Sequence, residues 1–111
     1  MPLWIPPTTA IQPDLTLTGW GAFEVLLPGI GHPTLHFVGY HVEDGEGRVS
    51  SPITGFDSST RCGVSRSGRV YRLREHPGLG GDAQYVWARW LRIWDVTVLR
   101  DCSESFVREG S

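Results

Sequence analysis

Residues 82–94 read DAQYVWARWLRIW and hold three of the five tryptophans in the chain. At about 3.6 residues per turn, Ile93, Val86, Trp90, Ala83, Trp94, Trp87 and Leu91 share one arc of a helical wheel. Gln84, Ala88, Arg92, Tyr85 and Arg89 share the other. So apolar a face has to be covered, and the rest of the chain must supply a surface for the helix to lie on. Three tryptophans remove on the order of several hundred Å² of apolar surface from water, at roughly 25 cal/mol per Å². The helix is therefore expected to anchor the fold; its spacing carries no chemistry.

That surface is legible as strands. Residues 15–27, LTLTGWGAFEVLL, favour a strand with Leu17, Phe23, Val25 and Leu27 at one parity and a bulge or bend at Gly19 and Gly21. Residues 35–43 are apolar at both parities, which fits a central strand. After the acidic turn at 43–47, residues 48–56 form a third, short strand, at an edge or bulged at Pro52 because proline donates nothing to the ladder. Residues 61–66 and 69–74 flank Ser67-Gly68 and predict a hairpin with a two-residue turn. That register pairs Val64 with Tyr71 and Cys62 with Leu73 on an apolar face. The other face pairs Gly63 with Arg72, Ser65 with Val70 and Arg61 with Arg74, and a slip of one residue is expected to bury arginines. Asp82 is the expected N-cap of the helix, which gives way near Trp94 to a last strand over 95–99.

The sum is an α+β fold: an antiparallel sheet of four to six strands, able to curl toward a barrel, with one amphipathic helix packed on one face. A chain of 111 residues suffices for one core. The expected division is a proline-rich N-terminal arm at 1–13, a single domain at 14–102 and a polar tail at 103–111 that frays. Trp4 in the arm packs on the domain or serves as a handle for a partner.

Charge is near balance overall, at −2, and gives no global pull toward nucleic acid or membrane. It is uneven along the chain. Residues 1–60 carry six acids and one arginine, whereas half of all the arginines lie within residues 61–74. No apolar run approaches the roughly 18 residues of a membrane span, and the N-terminus lacks a basic segment followed by an apolar one. A cytoplasmic location follows as an expectation, and there Cys62 and Cys102 are expected as free thiols.

The phrases GRVSSPITGFD, SRSGRVYRLREHPG and DAQYVWARWLRIWDVT resemble a set of small bacterial proteins of unassigned function that share a TSPI, TRSGRxYRL and YVWxxWL layout. The resemblance covers roughly residues 38–97. It implies a single domain of bacterial, cytoplasmic origin and brings no activity with it. The longer N-terminal arm and the strand bearing Cys62 depart from that layout.

The strongest local chemical signal is the arginine hairpin. Arg61, Arg72 and Arg74 on one face, with Arg66 and Arg69 at the tip, form a candidate site for a partner or an anion, because each guanidinium fork binds two oxygens of a carboxylate or phosphate. Internal neutralisation by Glu24, Glu43, Asp44, Glu46 and Asp57 is the alternative source of carboxylates. His32, His36, His41 and His76 with the two cysteines offer metal-ligand types, and His32-x3-His36 and His36-x4-His41 fit the spacing of zinc pairs, but on a strand His36 and His41 have opposite parity and point to opposite faces; no metal or other cofactor is expected. No nucleophile elbow, phosphate loop or dinucleotide fingerprint occurs, and Gly78-Leu79-Gly80-Gly81 reads as a capping loop. These observations point to a non-enzymatic protein-interaction module (inhibitor, immunity or regulatory factor) binding through the hairpin. A nucleic-acid-associated regulator using the same arginines is the alternative, and the tryptophan content raises self-association as a further one.

Overall fold

The computed structural model describes residues 14–107. The proline-rich arm with its Trp4, and residues 108–111, lie outside the described residues. Seven strands build one mixed sheet: β1 (Leu15–Leu26), β2 (Thr34–His41), β3 (Glu46–Val49), β4 (Ile53–Asp57), β5 (Cys62–Ser65), β6 (Val70–Leu73) and β7 (Thr97–Asp101). A single helix α1 (Gly81–Ile93) and a 3-10 turn (Ser103–Phe106) complete the described chain. Strand order is β3-β2-β1-β6-β5-β4, with β7 also beside β1. The sheet is mostly antiparallel, but β1 and β6 run parallel over Leu15↔Tyr71 to Leu17↔Leu73. It does not close into a barrel, because the end strands β3 and β4 are not paired with each other.

The bulge predicted from the glycines of β1 is present, and it does more than bend the strand. The β1–β2 register shifts between Thr18 and Gly21, and Gly19 takes a left-handed φ of 52° that glycine adopts without a Cβ penalty. The extra residue reverses the parity of everything after it. Leu15, Leu17, Trp20 and Ala22 thus share the inner core with Phe37, Tyr71 and Leu73. Val25, with Phe23 and Leu27, faces the helix with Val38, Ala83 and Trp87. The expected common face of Leu17 and Val25 is split between two cores on opposite sides of the sheet. β2 is buried on both faces for the same reason, with Phe37 turned inward and Val38 outward.

Pro52 lies between two strands, just before β4, and both are edge strands, as one of the two expected placements had it. The expected strand over 48–56 is two strands, β3 and β4, at opposite ends of the sheet order, joined by residues 50–52. Ser50 turns this corner: its N–H donates to the Phe37 carbonyl at 2.8 Å, and its Oγ accepts from the Phe37 N–H at 2.9 Å.

The helix begins two residues earlier than expected. Gly80 is the N-cap, with no side-chain bond, and Asp82 stands in the first turn, where its charge favours the positive helix end. Trp87 stacks on Phe23 with centroids 4.8 Å apart and on Trp90 at 5.4 Å. The C-terminus is a Schellman motif: Val96 N–H donates to the Leu91 carbonyl at 2.9 Å and Asp95 N–H to that of Arg92 at 3.4 Å, with Asp95 at φ 53°. This motif consumes residues 95 and 96, so the last strand starts at Thr97. The apolar arc is only partly covered, since Ile93 and Trp94 are 60% and 58% exposed. Trp20, in the sheet, is the wholly buried tryptophan among the described residues.

The polar segment after residue 102 does not fray over its described part. Ser103 Oγ donates to Asp101 Oδ1 at 2.6 Å and accepts from the Ala22 N–H at 3.0 Å, which sets Phe106 edge-on to Phe37 and Phe56. Among the described residues, no helix is long and apolar enough to cross a membrane.

Candidate functional site

The arginine hairpin forms, with a three-residue turn in place of the expected two. Ser65 N–H donates to the Arg69 carbonyl at 3.0 Å and Gly68 N–H to that of Ser65 at 2.8 Å, with Gly68 at φ 91°. This is a tight turn followed by one left-handed residue, a common hairpin closure. The additional turn residue moves the register by one, so that Cys62 pairs with Arg72, Gly63 with Tyr71 and Val64 with Val70. The predicted pairs Val64–Tyr71, Cys62–Leu73, Gly63–Arg72, Ser65–Val70 and Arg61–Arg74 do not form. No arginine is buried by the shift, because Gly63 lands on the core face. A Cβ there would sit 2.6 Å from the Phe37 ring, so glycine lets Phe37 fill the space beside Tyr71.

Several bonds hold the tip in place. Arg66 N–H donates to the Pro52 carbonyl at 2.7 Å. The hydroxyls of Ser65 and Ser67 are 2.9 Å apart, and Ser51 Oγ donates to Ser67 Oγ at 3.3 Å. Asp14 clamps the start of β6, with its Oδ2 accepting from the Val70 N–H at 2.7 Å while its own N–H donates to the Val70 carbonyl at 2.8 Å. Asp14, Ser67, Gly68 and Arg69 line an open polar depression of about 390 Å³ beside the tip.

The five candidate arginines separate into three kinds. Arg66, Arg69 and Arg72 are exposed, and no ion pair engages them among the described residues. Arg74 is half-exposed, 4.0 Å from the Glu75 carboxylate, and its carbonyl accepts from Trp20 Nε1 at 2.9 Å. Arg61 leaves the group. Its backbone is left-handed at φ 59°, its Nη2 donates to the Glu75 carbonyl at 2.8 Å, and its guanidinium lies 6.0 Å from the Trp20 ring centroid. Its Nε is buried with no hydrogen-bond partner. Arg61 thus closes the open side of the inner core over Trp20.

Four of the five carboxylates that could have neutralised the hairpin are engaged elsewhere. Glu24 pairs with Arg100 at 3.2 Å. Glu43 accepts from the Thr16 N–H at 3.0 Å, the main reason its carboxyl titrates below the usual range. Glu43 and Asp44 also flank the buried His41, 3.4 Å from Nε2 and 3.2 Å from Nδ1. Asp57 accepts from the Ser59 hydroxyl and N–H, which lower its pKa in that order. Glu46 is exposed and makes no ion pair among the described residues.

The histidines and cysteines are not gathered into one site among the described residues. His36 is buried, with Nδ1 2.8 Å from the Ser50 carbonyl and Nε2 2.8 Å from Thr34 Oγ1. The ring therefore carries its proton on Nδ1 and accepts from Thr34. Burial pushes its pKa down, which keeps the ring neutral. His32 and His76 are exposed, and Cys62 and Cys102 are free thiols. Among the described residues no group of His, Cys, Asp or Glu is arranged to hold a metal ion. Sequence reasoning missed the clamp at Asp14 and the turns at Asp57 and Asp101. The Asp-x-Ser spacing of Asp57-Ser59 and Asp101-Ser103 is the signal that could have shown the two turns.

No family model, curated protein or solved structure matches this chain.

Proposed function

We propose that the chain is a cytoplasmic bacterial protein-interaction module, non-enzymatic, of the inhibitor, immunity or regulatory kind, whose partner presents carboxylates to Arg66, Arg69 and Arg72. One observation carries the reading: these three guanidinium groups stand on a rigidly tied hairpin, exposed, while four of the five candidate acids are committed to other bonds. Arginine forks fixed in space meet paired carboxylate oxygens with little ordering cost.

The nucleic-acid reading uses the same arginines but lacks a stacking platform beside them, since Tyr71, the hairpin's aromatic residue, is buried in the core. Affinity capture from the native host with the full chain as bait tests the proposal. The variant Arg66→Glu/Arg69→Glu/Arg72→Glu is expected to lose the captured partner while its thermal midpoint stays near that of the parent. A partner retained by this variant overturns the proposal, as does tight binding of DNA or RNA by the parent chain at about 50 mM salt that weakens steeply as salt rises.

A further inference from the structure

The open side of β3 and the C-terminal half of α1 enclose a groove that the described residues leave unfilled. β3 pairs with β2 alone, so its other side is a sheet edge. The bond from Ser50 to Phe37 fixes the ladder phase: alternation turns the backbone groups of Glu46 and Arg48 toward β2 and those of Gly47 and Val49 outward. No helix, loop or turn in the described residues bonds to the backbone of Gly47 or Val49. Beside this edge runs a groove of about 250 Å³, lined by Val49, Val86, Arg89, Trp90, Ile93 and Trp94. Ile93 and Trp94 are the two members of the apolar arc left largely exposed. Arg48 borders it, with its guanidinium turned to His41 Nδ1 at 3.2 Å, and no carboxylate lines it.

We propose that this groove takes an extended, acidic–apolar segment of a partner protein, added as one more strand on β3. Three features select that occupant. The outward N–H and C=O groups of Gly47 and Val49 need acceptors and donors one strand spacing away, about 4.8 Å, and a polypeptide backbone supplies both in alternation. The wall of Val86, Trp90, Ile93 and Trp94 accepts the apolar side chains at every second position of such a strand. The cation Arg89, with no acid in the lining, calls for a carboxylate at a position that overhangs the helix. The surface is separate from the arginine hairpin, so either can fail without the other.

A random peptide library displayed on phage and selected against the full chain tests the inference. Enriched peptides are expected to alternate apolar and acidic residues, to quench or shift tryptophan fluorescence, and to move the amide resonances of Gly47 and Val49. Trp94→Ala and Arg89→Glu are each expected to weaken binding roughly tenfold or more; exposure of both side chains keeps the fold intact, checked by circular dichroism. N-methylation of the peptide amides that face β3 is expected to abolish binding. Failure to enrich any binder overturns the inference, as do binders whose resonance shifts lie outside β3 and α1, or binding indifferent to N-methylation. A groove filled by a second copy of the chain, seen as concentration-dependent mass with the same resonance shifts, also overturns it.

Discussion

At the scale of single residues, the buried groups with the largest consequence are His36 and Arg61. His36 is held below its ordinary value of about 6.5 mainly by burial and partly by the charge of Arg66, against the opposing bond to the Ser50 carbonyl. The folded chain therefore binds fewer protons at this ring than the unfolded chain does once pH falls below about 6.5. Its contribution is fully present above that pH and declines as pH falls through it, levelling off below the folded-state value. The thermal midpoint is expected to drop between about pH 7.5 and 5.5, and His36→Gln, less stable overall, is expected to flatten that slope. An unchanged slope in the variant, read by scanning calorimetry, would show that another group sets it. Glu43 and Asp57, both lowered, add a separate loss of stability at lower pH, below the ordinary carboxylate range. Arg61 illustrates what residue type conceals: it shares its chemistry with four neighbours in the hairpin, yet its left-handed backbone turns it onto Trp20.

At the scale of elements, the ends of α1 show which signals a sequence carries. The amphipathic period placed the helix within two residues of its observed limits, because 3.6-fold spacing belongs to the helix itself. Its caps depended on backbone geometry, and Gly80 displaced Asp82 as the N-cap. Asp95 sits at the left-handed position of the C-terminal motif, where a Cβ is disfavoured and a negative charge meets the negative helix end. Asp95→Gly is accordingly expected to stabilise the protein by about 0.5–1 kcal/mol, measured by urea unfolding; a loss of stability would mean that the carboxylate has a favourable role. The hairpin shows the opposite case. Its existence was plain from Ser67-Gly68 between two strand-like runs, but two-residue and three-residue turns differ by one register step. The side chain that chose between them, Phe37, lies on β2, out of reach of local pattern. The candidate site was legible in the same measure. The exposed arginines 66, 69 and 72 could be named from the sequence, whereas the departure of Arg61 and the commitment of Glu43 and Asp57 required tertiary contacts to see.

At the scale of the whole molecule, the fold is two cores sharing β1 and β2, one inside the curl of the sheet and one beneath the helix. Phe106 plugs the inner core from the C-terminal side, against Phe37 and Phe56. Phe106→Ala is expected to cost about 1–3 kcal/mol and to speed amide exchange in β4 and β5 more than in α1; equal exchange throughout would show that the two cores respond as one unit. The long β1 is where these cores meet, and its partners come from distant parts of the chain. Trp20 bonds to Arg74, 54 positions away, and Ala22 bonds to Ser103, 81 positions away. Such non-local pairing slows folding. During synthesis it has a directional effect: β1 is made before β6 or the Ser103 turn exists, and its apolar residues remain without their final neighbours until the Ser103 turn has been translated.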